Sequence, residues 1–166
     1  MPGTGAPTLS QGGDMNTTCP HAQNLRNGRI SESGRIYLIT CITDQRNTVF
    51  SQWNCGRLLV NVLMKENQRA ETLAYVVMPD HLHWLMQLKD GAELGQLMRT
   101  IKCVSSWQVN RVSNRTGRLW QPGYHDHALR KEEDIVSTAR YVVANPLRAG
   151  LVKRIGDYPL WDAVWL

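Results

Sequence analysis

Two places in the chain combine residue types and spacings that can do chemistry. The first is His81-Leu82-His83. Along a strand, alternate side chains share a face with their Cα atoms about 7 Å apart, so the two imidazoles can grip one cation. An isolated pair of this kind also fits a plainer reading, one surface histidine and one satisfied by a backbone group. The second place is Tyr141 with Asn145. Positions i and i+4 are stacked neighbours on a helix, which brings a phenol nucleophile and a carboxamide oxygen to one spot. The plainer reading is that Asn145, ahead of Pro146, ends a helix while Tyr141 packs its ring on a sheet. His125-Asp126-His127 is a further pair. With His81 and His83 it would make a four-histidine hydrolytic metal site, for which Asp126 is the only acid spaced to act as base.

These residues need strands and helices to bring them together. Ile36 to Thr43 is β-branched and aromatic, closed by polar Asp44 to Asn47, and reads as a buried strand. Phe50, Trp53, Leu58, Val62 and Leu63 recur near helical spacing up to Lys65. Leu73–Met78 and His81–Leu88 form a hairpin about Pro79-Asp80, with both histidines on one face and Leu82, Trp84, Met86 and Leu88 on the other. Leu94, Leu97, Met98, Ile101, Val104 and Trp107 carry an apolar stripe from Ala92 to Val112, and Tyr124 to Leu129 reads as a short fourth strand. The order βαββαβ predicts a ferredoxin-like α/β (α+β) domain, two helices on one face of an antiparallel sheet. A further helix opens on Glu132-Glu133-Asp134, where acids face the positive end of the macrodipole, and stops at Asn145-Pro146. Pro146 can start another short turn, which Gly150 ends. The aromatic tail from Tyr158 to Leu166 is expected to dock on the domain.

Taken together, HLH and the downstream run ARYVVANPLRAGLV resemble the single-tyrosine HUH transposases, in particular the REP-associated tyrosine transposases. The resemblance spans Gly28 to Trp161 and includes Met78-Pro79-Asp80, Leu119-Trp120-Gln121-Pro122 and His127-Ala128-Leu129-Arg130. It implies that Tyr141 is the nucleophile and that His81, His83 and Asn145 are the metal ligands. Insertion-sequence relatives usually carry glutamine at the last of these positions, whereas Asn145-Pro146-Leu147-Arg148-Ala149-Gly150 is typical of the REP-associated branch. The implied cofactor is Mg2+ or Mn2+, and the implied chemistry is nicking and rejoining of single-stranded DNA through a 5′-phosphotyrosine link. The implied substrate is a palindromic REP hairpin with a single-stranded flank. The implied C-terminal catalytic helix is the one carrying Tyr141, His127 is expected near the site, and a monomer is favoured over a dimer.

Composition agrees with such a partner. The 166 residues are 42% hydrophobic and 20% charged, with a net charge of +5. That fits one globular domain able to fill its own core, and it excludes a disordered chain or a small disulfide scaffold. From Arg99 to Arg154 there are eleven Lys and Arg against four Asp and Glu. Such a cluster predicts phosphate contacts, for which Arg118, Trp120, Gln121, Arg130 and Arg148 are the chosen DNA-binding candidates, Trp120 by stacking an unpaired base. No apolar run reaches the ~20 residues of a membrane span. Cys19, Cys41, Cys55 and Cys103 share no CxxC spacing, so free thiols and a cytoplasmic location are expected. Residues 1–27 are poor in apolar periodicity and read as a flexible leader ahead of a catalytic domain over residues 28–166, with Met15 an alternative start. The competing function is a catalytically silent hairpin DNA- or RNA-binding regulator, because a ferredoxin-like sheet serves either purpose.

Overall fold

The computed structural model describes residues 32–130 and 133–165. The expected leader, residues 1–27, lies outside them. Strand β1 (Ile36–Ile42), helix α1 (Trp53–Lys65), strands β2 (Ala70–Met78) and β3 (His81–Leu88), helix α2 (Leu94–Val112) and strand β4 (His125–Ala128) follow in the expected order. Helices α3 (Ile135–Val143) and α4 (Asn145–Arg148) and strand β5 (Trp161–Ala163) complete the chain. The five strands form one antiparallel sheet in the order β4-β1-β3-β2-β5.

Alternation along β3 separates the two faces. Leu82, Trp84, Met86 and Leu88 are fully buried with residues of α1 and α2 in the main core. Their neighbours His81, His83, Leu85 and Gln87 point to the opposite face. There α3 packs: Ala139 and Val143 join Leu73, Ala74 and Leu85, and Val142 joins Val76 and Met78. The ferredoxin-like layer thus gains a second cover, and helices lie on both faces of the sheet.

The tail docks as expected. Trp161 pairs with Val76 as part of β5, and the Tyr158 hydroxyl donates to the Val77 carbonyl at 2.6 Å. Leu160 reaches over α1 so closely that a methyl on Gly56 would run into its Cδ1, so a larger residue there would force the leucine to shift.

Three tryptophans depart from expectation. Trp53 and Trp107 fall on apolar stripes in the sequence, yet they are 60% and 58% exposed with Arg57 and Arg111 stacked on them. On α2 the inward stripe continues instead through Ser105 and Val109. Trp120, expected to stack a base, is only 3% exposed. Its segment is pinned to the end of β1, with Asp44 N donating to Leu119 O and Gln121 N to Ile42 O. The indole is thereby pushed between Phe50, 5.3 Å away centroid to centroid, and Ser105, whose Oγ takes the Nε1 proton at 2.9 Å. A fully covered ring cannot receive a base.

The acidic helix start is also different in detail. Helix α3 begins at Ile135, and Asp134 is its N-cap, accepting from Val136 N at 2.9 Å. Glu133 turns back to His127, and Glu132 lies outside the described residues. Cys103 is disulfide-bonded, which corrects the expectation of free thiols throughout, while Cys41 and Cys55 are buried. Among the described residues no helix is long and apolar enough to cross a membrane.

Burial of Trp120 makes it a packing residue, with a measurable consequence. Trp120→Ala is expected to lower unfolding stability by about 3–5 kcal/mol, the usual cost of removing a core tryptophan. Trp120→Phe is expected to lower it by less than half as much in the same denaturant titration and to leave DNA affinity unchanged.

Candidate active site

The histidine pair sits where β3 leaves the Pro79-Asp80 turn, and the sheet register decides its surroundings. His83 stands between Thr40 on β1 and Val76 on β2, and His81 between Ile42 and Met78. The ring centroids are 4.8 Å apart and nearly perpendicular. Each ring is oriented through Nδ1. His81 Nδ1 donates to Asp80 Oδ1 at 2.6 Å, and His83 Nδ1 lies 2.8 Å from Thr40 Oγ1. In the tautomers that donate these bonds, both Nε2 atoms keep a lone pair for a ligand, the usual way a protein aims a metal-binding imidazole.

Electrostatics separates the members of this cluster. Burial alone would raise the Asp80 pKa, but hydrogen bonds from His81 and Arg46 outweigh it and hold the carboxyl below its ordinary value. Burial, followed by the charges of His81 and Arg148, pushes the His83 pKa down from 6.5 to about 4. His83 is therefore neutral near pH 7, the form that can ligate.

The tyrosine comes from the helix that packs on the histidines' own face of the sheet. Val142 is buried against Val76 and Met78, the cross-strand partners of His83 and His81, so α3 is anchored beside the histidine pair. Tyr141, one residue earlier, is left 57% exposed. Arg148 Cζ stands 3.7 Å from the centroid of its ring, and the same guanidinium charge reaches His83. Asn145 Nδ2 donates to the carbonyls of Val142 at 2.7 Å and Tyr141 at 3.3 Å, while Oδ1 accepts from Arg148 at 2.8 Å. His81, His83, Tyr141, Asn145 and Arg148 therefore form one neighbourhood.

Other candidates fall elsewhere. His125 and His127 lie on the edge strand β4, on the same face as the first pair but with β1 between them. His127 Nε2 is bound to Glu133 Oε1 at 2.9 Å. Among the described residues no three His, Cys, Asp or Glu side chains cluster as a metal site, which removes the four-histidine arrangement. Arg118 and Arg130 are exposed and Gln121 is half-buried, all outside the contacts of the histidine–tyrosine cluster, whereas Arg148 is at its centre. Asp80 and Thr40 support the two rings. Asp80 carries a signal in sequence, an acid next to the first histidine, but Thr40 carries none, since only strand register brings it to His83.

The donor set suits a divalent cation. The two imidazoles of His81 and His83 and the carboxamide oxygen of Asn145 are donors that could hold such an ion with coordination positions left open. The five-stranded antiparallel sheet with helices on both faces is a mixed α/β architecture, and the histidine pair and the tyrosine helix share one of those faces. A family model described as "Transposase IS200 like" matches residues 32–145, and the chain belongs to that family. It is 29% identical over 104 residues to a REP-associated tyrosine transposase of Haemophilus influenzae, covering 57% of this chain and 59% of that one. It is also 29% identical over 101 residues to the REP-associated tyrosine transposase of Escherichia coli K12, covering 59% of this chain and 57% of that one. The matches thus span less than two thirds of each curated relative. The solved structure of a REP-associated tyrosine transposase bound to a REP hairpin shares the fold, with a TM-score of 0.64, 24% identity and coverage of 83% of this chain and 82% of that one.

The depressed His83 pKa has a sign that can be tested. As pH falls below 6.5 the unfolded chain takes up the imidazole proton first, so native stability is lost between 6.5 and about 4 and changes no further below that from this group. NMR titration is expected to place the His83 inflection near 4, and His83→Asn is expected to flatten the corresponding slope of stability against pH.

Proposed function

We propose that this protein nicks and rejoins single-stranded DNA through Tyr141, acting on hairpins of the REP type. The single observation that most supports this reading is the exposed phenol of Tyr141 on a helix that is anchored by Val142 against the cross-strand partners of both histidines. Membership of a transposase family and a relative solved on a REP hairpin support the choice of substrate.

The chemistry follows from the residue types. A phenol has a pKa of ~10 and is a poor nucleophile at neutral pH, so its target must be made more electrophilic. Mg2+ or Mn2+, held by His81, His83 and Asn145, would polarise a non-bridging oxygen of the scissile phosphate. Tyr141 Oη attacks phosphorus in line. The Oη–P bond forms as the P–O3′ bond breaks, the phenol gives up its proton, and the departing 3′ oxygen gains one. Asp80 and Thr40 keep the two rings in orientation throughout. Because the phosphodiester is conserved as a 5′-phosphotyrosine, a 3′-hydroxyl can reverse the step without ATP. With one tyrosine, cleavage and rejoining use the same residue.

Affinity comes from phosphate contacts along the basic stretch, with Arg118, Gln121 and Arg130 flanking the site in sequence and unpaired bases and hairpin shape supplying specificity. The protein acts as a monomer in the cytoplasm, where its DNA lies. The exposed Tyr141 beside the histidine pair favours nicking over the silent-regulator reading.

A labelled hairpin oligonucleotide with a single-stranded flank, incubated with Mn2+, is expected to leave label trapped on the protein in a denaturing gel. Tyr141→Phe is expected to remove that adduct by about 10³-fold or more while leaving hairpin affinity nearly intact. An undiminished adduct would take Tyr141 out of its role, and binding without any adduct in the unaltered protein would favour the regulator.

A further inference from the structure

Arg148 makes more contacts in the site than a phosphate-binding arginine needs. Its Nη1 donates to the Tyr141 carbonyl at 3.2 Å, its Nη2 donates to Asn145 Oδ1 at 2.8 Å, and its Cζ lies 3.7 Å from the Tyr141 ring centroid. The Asn145 amide nitrogen is committed to the carbonyls at the end of α3, which leaves Oδ1 as the one atom this residue can offer a cation. Arg148 holds that atom.

We infer that Arg148 is a positioning residue that couples cation binding to DNA binding: without DNA its guanidinium occupies Asn145 Oδ1, and a DNA backbone phosphate draws it away and frees the oxygen. This rests on the reading above, in which His81, His83 and Asn145 share a divalent cation.

The argument is electrostatic and geometric. A dication on Oδ1 and a guanidinium on the same oxygen would stand a few ångströms apart, where like charges repel strongly in a partly buried site. A phosphate placed between them reverses the sign of both interactions, since the planar guanidinium fork matches phosphate oxygens and the cation takes another. Arg148 is exposed, so a phosphate can reach it without any part of the fold opening. Its stacking on Tyr141 ties the nucleophile to the same event, because a guanidinium that swings to a phosphate also uncovers one face of the phenol ring. Reciprocity then requires that the cation tighten DNA binding as much as DNA tightens cation binding.

The test is a Mn2+ titration of the full chain, read by the electron paramagnetic resonance of the free ion. It is run with and without the flanked hairpin, and ion bound by DNA alone is subtracted. A Tyr141→Phe background prevents cleavage and keeps the ring. DNA is expected to tighten Mn2+ binding about tenfold in this background. Adding Arg148→Gln is expected to tighten Mn2+ binding to the DNA-free protein several-fold and to reduce the gain from DNA to about twofold or less. Arg148→Met is expected to behave like the glutamine variant, and Arg148→Lys to restore part of the gain. In an Asn145→Ala background, Arg148→Gln is expected to change nothing, which separates release of Oδ1 from general loss of a positive charge. If both neutral variants leave the two Mn2+ affinities as they were, or if Arg148→Gln acts equally without Asn145, the coupling role is overturned while the cation reading stands. If Mn2+ binding is not saturable, or is indifferent to His83→Ala with and without DNA, the cation reading itself is overturned and this one with it.

Discussion

The constraint on which the site depends is the two-residue period of β3. Leu82, Trp84, Met86 and Leu88 are all fully buried against the layer of α1 and α2. A slip of one residue in the pairing of this central strand would drive His81 and His83 into that core and turn four large apolar side chains outward. Burial of each such side chain is worth about 1.5–3 kcal/mol, so the register is held by far more than the imidazoles themselves contribute. Trp84 adds a hydrogen bond from Nε1 to Thr72 Oγ1 at 3.0 Å, which removes the one polar cost of burying an indole. Fixed register then assigns each histidine its cross-strand partners, and with them the groups that orient its ring.

The second face is covered in a way that leaves the chemistry open. Helix α3 has nine residues, too short to be stable on its own, and it is held by Ala139, Val142 and Val143 against the sheet. Helical spacing that turns those three inward leaves Tyr141 outward. The helix ends at Val143 with Ala144 as its C-cap, and α4 follows from Asn145 with Pro146 in its first turn, where its nitrogen, carrying no proton, needs no partner. Gly150, at φ +68°, takes the left-handed conformation that ends this short turn, and the whole segment brings Arg148 back over Tyr141. Tyr158 and Trp161 pack beside Val76 and Met78, so the tail completes the wall that supports the helix.

Much of this was legible in the sequence because it depends on local period. The alternation of His81 to Leu88, the stripe of α2 and the helix stop at Asn145-Pro146 each need only a few neighbouring residues to be read. Side-chain surroundings set by distant residues were not legible. Thr40 meets His83 only through the β1–β3 register, and nothing near Thr40 marks it. Trp120 reads in sequence as a base-stacking residue because it lies beside Arg118 and Gln121, yet backbone bonds to the end of β1 turn its ring inward. Trp53 and Trp107 failed in the opposite sense: hydrophobic type suggested burial, and their angular position, with Arg57 and Arg111 one turn on, decided for solvent.

On the proposed function the protein would hold both a dication and a polyanion, which place opposing demands on its charge. The basic excess between Arg99 and Arg154 that would attract DNA would also repel a metal ion. The site would moderate this conflict without a carboxylate as a direct ligand. Asp80 stays ionised behind His81 and supplies negative charge through the ring. His83 is kept neutral by burial first and by its cationic neighbours second, so it could offer a lone pair while adding no further positive charge. What remains uncompensated is the guanidinium of Arg148, and the group best able to compensate it is the phosphate on which the enzyme would act.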